Sequence, residues 1–414
     1  MGSTSIWQAE ATQETAMDFR WPALKANIEA DVVVIGAGIT GLSAALFLAR
    51  GGARVVVLEA RDVAAGASGR NGGFLLSGTS ESYAAAIEHL GRERARRVWA
   101  FSAANHVMVR ELIAELADVG MDCSYQQVGS LRIATSDEEM SELVASVALL
   151  REDGWRADLA ERVELPAHLG EHGYYGGIFY PDDAEVHPAR YVRGIARLAA
   201  AAGASIYGES RVTTLRFAGD GWLAQTPSGS VRCSTLLLAT NAWTGELGPR
   251  LGQLDLARLI VPQRGQMLAT DPVEARLFFC PCYADEGYQY WRQRQDGRLV
   301  IGGWRNTSFA TEAVLDETPG DVVQGHMDRF LRETLGLSDV RVAHRWAGVM
   351  AFSPDGLPLV GGIPGVERAY IAAGYTGHGN AMAVRSARML ADIIIRGRAD
   401  DEDLFAPARF DAAM

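Results

Sequence analysis

Lysine is almost missing from this chain. Lys25 is the one lysine in 414 residues, and arginine supplies the rest of the 39 basic side chains. A pyridoxal Schiff base, a phosphate-loop lysine and any other catalytic lysine are therefore excluded beyond the first 28 residues. Cysteine is scarce too. Of Cys123, Cys233, Cys280 and Cys282, the last two form a C-x-C pair, too tight for the usual zinc or thioredoxin spacings. They read as reduced thiols of a cytoplasmic protein. His89, His106, His168 and His172 show no ligand spacing, so no metal is expected. The first residues lack a basic stretch followed by an apolar core, and no secretory signal is expected. Long hydrophobic runs are also few. Residues 32–49 carry no charge and are about long enough to span a bilayer. Gly36, Gly38 and Gly41 divide them, however, and the apolar run ahead of the glycines is β-branched, as in a buried strand, turn and buried helix. The net charge of −12 repels nucleic acid and anionic membranes, leaving small molecules as the expected partners, with the oligomeric state undetermined.

What is present suits a globular enzyme of two domains: 48% apolar and 22% charged residues. Residues 1–28 read as a leader wrapping over the body. Strand patterns at 31–35 and 54–59 flank a helix of small residues at 42–50, making one βαβ unit. Amphipathic patterns follow over 81–119 and 138–151, with a strand between them at 129–134. His187 and Pro188 open a helix at 189–202, the proline sitting where its missing N–H costs nothing. Strands are expected at 212–217, 222–226 and 235–239. From 258 to 345 the texture changes to strands such as 266–270, 288–292 and 299–303 between turns, which predicts an antiparallel sheet. A strand at 369–373, a glycine-rich turn and a helix at 382–395 return to α/β character. The acidic tail from Asp400 is expected to be loose apart from Phe405 and Phe410.

The strongest motif is Gly36-Ala-Gly38-Ile39-Thr40-Gly41, placed where a strand ends and a helix begins. Gly36 makes the tight turn, Gly38 lets the backbone approach a pyrophosphate, and Gly41 lets helix and strand pack closely. The helix N-terminus then offers free N–H groups and a positive dipole end. Glu59 ends the next strand at the distance expected for an acid that accepts the ribose hydroxyls, and it would repel a 2′-phosphate. The question of FAD or NAD turns on the following residues, Ala60-Arg61 and then Gly66-Ala-Ser68-Gly69-Arg70-Asn71-Gly72-Gly73. A simple NAD fold does not need this second glycine-rich loop. A longer cofactor crossing the sheet would use its backbone donors.

These segments resemble the FAD-dependent D-amino acid oxidase, glycine oxidase and sarcosine oxidase superfamily. The likeness covers nearly the whole chain. It rests on residues 31–59, on Ser68 to Gly73, on the strand leading to Ala239-Thr240-Asn241-Ala-Trp243, on Trp346-Ala-Gly348, and on Ala372-Ala-Gly374-Tyr375-Thr376-Gly377-His378-Gly379-Asn380. The leader Trp7, the Arg70 to Gly73 loop and Ser353-Pro354-Asp355 are most like the γ-glutamylputrescine oxidase branch. The resemblance implies a Rossmann-like FAD-binding domain (29–95, 165–250 and 346–399) interleaved with an α+β substrate domain on an antiparallel sheet (96–164 and 251–345), between a leader (1–28) and a tail (400–414). It also implies that Val212 touches the adenine, that Thr240 and Asn241 close the second FAD-contacting strand, and that the turn from Gly374 to Asn380 brings N–H groups to the pyrimidine side of the flavin.

Departures from the family pattern carry information. Amino acid oxidases of this type clamp the substrate carboxylate with an arginine just after W-A-G, and some add one after the C-terminal strand. Here Met350 and Gly377 stand near those positions. A buried carboxylate without a cation is costly, which favours an amine lacking a nearby α-carboxylate, unless Arg264 or Arg292 supplies a clamp from the sheet. Residues 344–355 hold no cysteine, so noncovalent FAD is expected. Leu299-Val300-Ile301 stands where sarcosine oxidases carry the lysine that activates oxygen, and oxygen and another electron acceptor both stay open. The implied reaction is hydride transfer from an amine carbon to flavin N5, followed by hydrolysis of the imine. Substrate-side candidates are Tyr288, Tyr290, Trp291, Trp304, Tyr375 and His378. The aromatics either cage an amine or pack the sheet core; His378 either polarises the flavin or relays a proton, or makes a structural hydrogen bond. Three alternatives stand beside this reading: an amino acid oxidase or dehydrogenase with a relocated arginine, a flavin-binding scaffold without turnover, and an NAD-dependent dehydrogenase.

Overall fold

The architecture is that of a computed structural model describing residues 3–14, 20–161, 165–248 and 250–413; the His168 side chain lies outside that description. Two eight-stranded sheets organise the chain. The first runs Leu359–Gly362, Ala369–Ala373, Ser230–Leu238, Asn27–Ile35, Val55–Leu58 and Ser205–Tyr207, with Gly221–Gln225 and Thr214–Ala218 appended antiparallel. Its centre is parallel: Val32 to Ile35 pair with Val55 to Leu58 on one side and with Thr235 to Leu238 on the other. Val32 and Val34 face the helices Ile39–Arg50, Pro188–Ala201 and Gly379–Arg396. Val33 and Ile35 face a second core containing Trp222, Leu254 and Val349. Both faces are covered, which is why this strand reads as an unbroken apolar run rather than an alternation.

The second sheet runs Val342–Phe352, Val261–Pro272, Arg298–Gly303, Gln289–Gln293, Cys282–Ala284, Ser130–Ala134, Gly176–Tyr180 and Asp158–Glu161. It is antiparallel except where Cys282–Ala284 meets Ser130–Ala134 in parallel. The strand Gly176–Tyr180 falls inside the segment 165–250 expected to bind FAD, yet it pairs with Ser130–Ala134 in this second sheet. The run of two glycines followed by Ile178, Phe179 and Tyr180 gave no sign of which sheet the strand joins. The strand expected at 212–217 begins at Thr214, and Val212 precedes it.

The described parts of the leader and of the tail are both anchored. The leader forms the helix Ile6–Glu14 with Ile6, Trp7 and Ala11 buried. The Trp7 indole donates to the Asn71 carbonyl at 2.8 Å, and Ser5 Oγ donates to the Gly69 carbonyl at 2.8 Å. The tail, expected to be loose, is tied down. Phe405 is fully buried against Phe101, Arg97 pairs with Asp401 and Asp403, and Arg409 pairs with Asp355. Its acidic residues meet arginines of a distant helix, a pairing no local pattern reveals. Among the described residues no helix is long and apolar enough to cross a membrane.

Candidate active site

A channel opens where the parallel strands end. Gly36 has φ +105°, and a Cβ there would stand 2.6 Å from the Ala239 carbonyl oxygen, so the turn is closed to larger residues. A Cβ on Gly41 would stand 2.0 Å from the Gly36 oxygen; this glycine serves helix–strand packing and does not line the channel. Glu59 accepts from the Ala37 and Arg61 amides at 2.9 Å each, one per carboxylate oxygen. Burial pushes its pKa up, and the two amides partly offset that by favouring the anion. Each oxygen keeps a lone pair for a further donor. Ser68 Oγ accepts from the Ile39 amide at 3.0 Å, so the second glycine-rich loop caps the first turn of the Rossmann helix.

Three contiguous cavities continue from there. The first is walled by Gly36, Gly38, Glu59, Ala60, Arg61, Ser68, Val212, Thr240, Asn241 and Trp243. Arg61 lies over the Trp243 ring at 5.3 Å and pairs with Glu317 at 2.6 Å, giving this end a flat, rigid wall. The second passes Ile39, Thr40, Asn71, Met350, Tyr375, Gly377, Gly379 and Asn380. The third, about 1060 Å³ and open to solvent, lies against the second sheet. Arg70, Asn71, Gly348, Thr376, His378 and Asn380 line it together with Phe74, Met267, Tyr283, Tyr290, Arg305 and Phe352.

The structure separates the expected residues by task. Gly69, Gly73 and Gly374 do not wall the cavities. A Cβ would strike the Ala64 carbonyl from Gly69 and the Val186 carbonyl from Gly73, while the Gly374 amide donates to Asn241 Oδ1 at 3.1 Å. The turn was expected to aim its amides at the flavin, but those of Gly374, Thr376 and His378 are already taken by Asn241, Ala351 and Tyr375. Arg70 borders the cavity, yet its guanidinium is spent on the Ala65, Ser3 and Ala347 carbonyls and on Glu317.

Among the substrate-side candidates, Tyr290 and His378 reach the third cavity. Tyr375 lines the middle of the channel instead, its hydroxyl accepting from Thr40 at 3.2 Å, and burial raises its pKa to about 12. Tyr288 precedes the strand Gln289–Gln293 and so does not share its face with Tyr290; it packs under Arg305. Trp291 is fully buried among Tyr174, Phe278 and Phe330, and Trp304 packs on Phe330. Both are core residues. Arg264 is held by Glu312 and Asp316 at 2.8 and 3.0 Å. Arg292 is held by Glu185 at 3.4 Å and by the Val186 carbonyl. Neither is available as a carboxylate clamp. The cavity residues that sequence reasoning missed, Arg305, Phe352, Tyr283 and Phe74, lie on separate segments. Only the aromatic density around strand ends could have hinted at them.

His378 is the N-cap of the helix Gly379–Arg396, and its Nδ1 is buried without a hydrogen-bond partner. Burial, with Arg132 nearby, lowers its pKa to about 4. It is therefore neutral at pH 7. A long channel with a buried acid at one end, and a wide cavity bordered by His378 at the other, fits a cofactor that spans from an adenosine to a flat ring system. Among the described residues no cluster of three or more His, Cys, Asp or Glu is placed to hold a metal ion.

Fold and site together define an FAD-dependent oxidoreductase. The FAD dependent oxidoreductase (DAO) family matches residues 31–393, and the chain belongs to it. It is 28% identical over 396 residues to a probable oxidoreductase, OrdL, of Haemophilus influenzae, covering 94% of this chain and 87% of that protein. It is 27% identical over 417 residues to the gamma-glutamylputrescine oxidoreductase of Escherichia coli K12, covering 98% and 91%. The crystal structure of glycine oxidase from Geobacillus kaustophilus superposes with a TM-score of 0.77 at 22% identity, over 91% of this chain and 98% of that one. The chain is therefore an oxidoreductase with FAD as its cofactor.

Proposed function

We propose that the substrate is a polyamine-like, γ-glutamylated or secondary amine, oxidised at the carbon next to nitrogen. One observation carries this reading: the third cavity shares Ala67, Asn71, Met350, Gly377 and Asn380 with the middle of the channel, so a molecule seated there meets the end of the cofactor. Bound FAD, held without a covalent link, supplies the acceptor for a hydride from that carbon. Glu59 would hold the adenosine ribose, the Gly36–Gly41 turn the pyrophosphate, and the segment from Met350 to Asn380 the ring end. The amine loses a proton from nitrogen to water, and the resulting imine is hydrolysed to a carbonyl compound and the freed amine.

The cavity wall favours this chemistry through Phe74, Leu76, Met267, Tyr290, Met350 and Phe352. An apolar wall disfavours the ammonium and so increases the share of neutral amine, the form whose lone pair assists hydride loss. His378, neutral at pH 7, adds a hydrogen-bonding group without adding a repelling charge. The E. coli relative named for gamma-glutamylputrescine supports the choice of amine. Incubating holoenzyme with γ-glutamylated, secondary and simple amines, and with amino acids, tests the reading. A carbonyl product from the amines is expected, and turnover of α-amino acids alone would overturn it.

A further inference from the structure

The helix Arg92–Asp118 walls none of the three cavities, yet it is tied to their lining. Its buried face is apolar except at Ser102, Asn105 and His106. A buried polar side chain costs free energy unless it is paired, and an apolar residue would pack there without that cost. All three are spent on backbone groups in or beside the cavity lining. Ser102 Oγ accepts from the Gly78 amide at 2.8 Å, and His106 Nε2 stands 3.1 Å from the carbonyl of Leu76, a cavity residue.

Asn105 is fully buried and meets the first turns of the helix Gly379–Arg396. Its Nδ2 donates to the Asn380 carbonyl at 2.9 Å, and its Oδ1 accepts from the Val384 and Arg385 amides at 3.0 and 3.1 Å. One carbonyl and two amides fix which way the carboxamide points. In a regular helix the Asn380 carbonyl and the Val384 amide are each other's partners. Asn105 spans that pair and ties the first turn from outside the helix. Asn380 carries the tie onward, its Nδ2 donating to Asn71 Oδ1 at 3.2 Å and to the Phe74 carbonyl at 2.9 Å. Asn71 is itself locked: its Oδ1 also accepts from the Gly73 amide at 2.7 Å, and its Nδ2 donates to the Ala67 and Ser68 carbonyls at 3.1 Å each. Three asparagines from distant parts of the chain thus join two helices and the second glycine-rich loop in series. Asn71 and Asn380 line both the middle of the channel and the third cavity.

We propose that Asn105 is a positioning residue for the flavin end of the site. Acting through Asn380, it fixes the first turn of the helix Gly379–Arg396 against the second glycine-rich loop, and so tunes how strongly the site favours reduced over oxidised FAD. The amides of Gly379 and Asn380 find no acceptor in the chain among the described residues, and both residues line the channel. Open amides at a helix start favour the negative charge that reduction brings, and the benefit depends on where they stand. The proposal holds whichever amine or amino acid is oxidised, because the substrate takes no part in it.

The test reads the flavin without substrate. Holoenzymes are equilibrated with a reductant and a redox dye in the absence of oxygen, and the midpoint potential is measured beside the melting temperature. Asn105→Leu keeps the volume but can neither donate nor accept, so the Asn380 carbonyl and the Val384 amide are left to close on each other and the turn resets. Its preference for reduced over oxidised FAD is expected to fall roughly tenfold, about 30 mV for a two-electron couple. Asn105→Ala removes the same two functions and serves if the leucine variant does not fold. Val109→Ala, a buried truncation one turn along the same helix, is the control. It is expected to lower the melting temperature and leave the potential in place. A fall of less than about threefold, roughly 14 mV, or a rise, overturns the proposal whatever happens to the melting temperature. An equal fall in Val109→Ala also overturns it, because the potential would then report general loosening. Folded protein that has lost its flavin in both Asn105 variants, with Val109→Ala still loaded, supports the assignment; failure of both to fold places Asn105 with the core and overturns it.

Discussion

Along the cofactor channel the chain works with its backbone, and in the substrate cavity it works with side chains. The channel is set by positions where only hydrogen fits: Gly36 faces the Ala239 carbonyl and Gly41 faces Gly36 itself. Its buried acid, Glu59, is tied to two backbone amides. The cavity is assembled from Phe74, Tyr290, Arg305, Met350, Phe352 and His378, which come from five separate stretches of chain. A site made by backbone geometry tolerates few sequences and is shared across a family. A site made by side chains can be re-aimed by single substitutions, which is how one fold serves many substrates.

The two halves should therefore break differently. The largest effect is expected from Gly36→Val. A branched residue at φ +105° and within 2.6 Å of a carbonyl cannot be accommodated, and the purified protein should hold little or no flavin, read as the flavin-to-protein ratio. Trp7→Ala comes next. It empties a buried site under the Arg70–Gly73 loop and removes the hydrogen bond to Asn71, so a loss of about 3–5 kcal/mol in unfolding free energy is expected, with faster flavin release on heating. Glu59→Gln keeps the shape but removes the charge that accepts the Ala37 and Arg61 amides. FAD affinity should fall roughly 10- to 100-fold, measured by titrating apoprotein, with the substrate preference of reloaded enzyme unchanged.

The smallest of these effects is a pH dependence in the cavity. His378 has its folded pKa lowered to about 4 from 6.5. The unfolded chain therefore binds more protons than the folded one between those values, and the native state loses stability as pH falls from 6.5 towards 4. His378→Asn should flatten this slope by on the order of 1–2 kcal/mol across that window, seen by denaturant melts at several pH values. Activity between pH 6.5 and 8 should show no titration assignable to His378.

The same contrast explains what the sequence made legible. The Gly36–Gly41 turn, the strand ending at Glu59 and the loop after it were readable because glycine spacing and a terminal acid are local consequences of one βαβ geometry. The Pro188–Ala201 helix was readable from its proline. The cavity was not. Trp291 and Tyr290 are adjacent in sequence, and period-two alternation sends one into the core and the other to the cavity, but only the sheet order says which. Arg264 and Arg292 looked available because their partners Glu312 and Glu185 are 48 and over 100 residues away. Arg305 escaped notice for the converse reason: its sandwich joins Tyr288 to Phe352, and nothing in the chain between them announces it.

The most direct test of the central claim is an anaerobic titration of the purified holoenzyme, watching the visible flavin band. Bleaching by γ-glutamylated or secondary amines in stoichiometric amounts, with simple α-amino acids inert, is the predicted result. A flavin band bleached by α-amino acids alone, or a purified protein with no flavin band at all, would contradict the account.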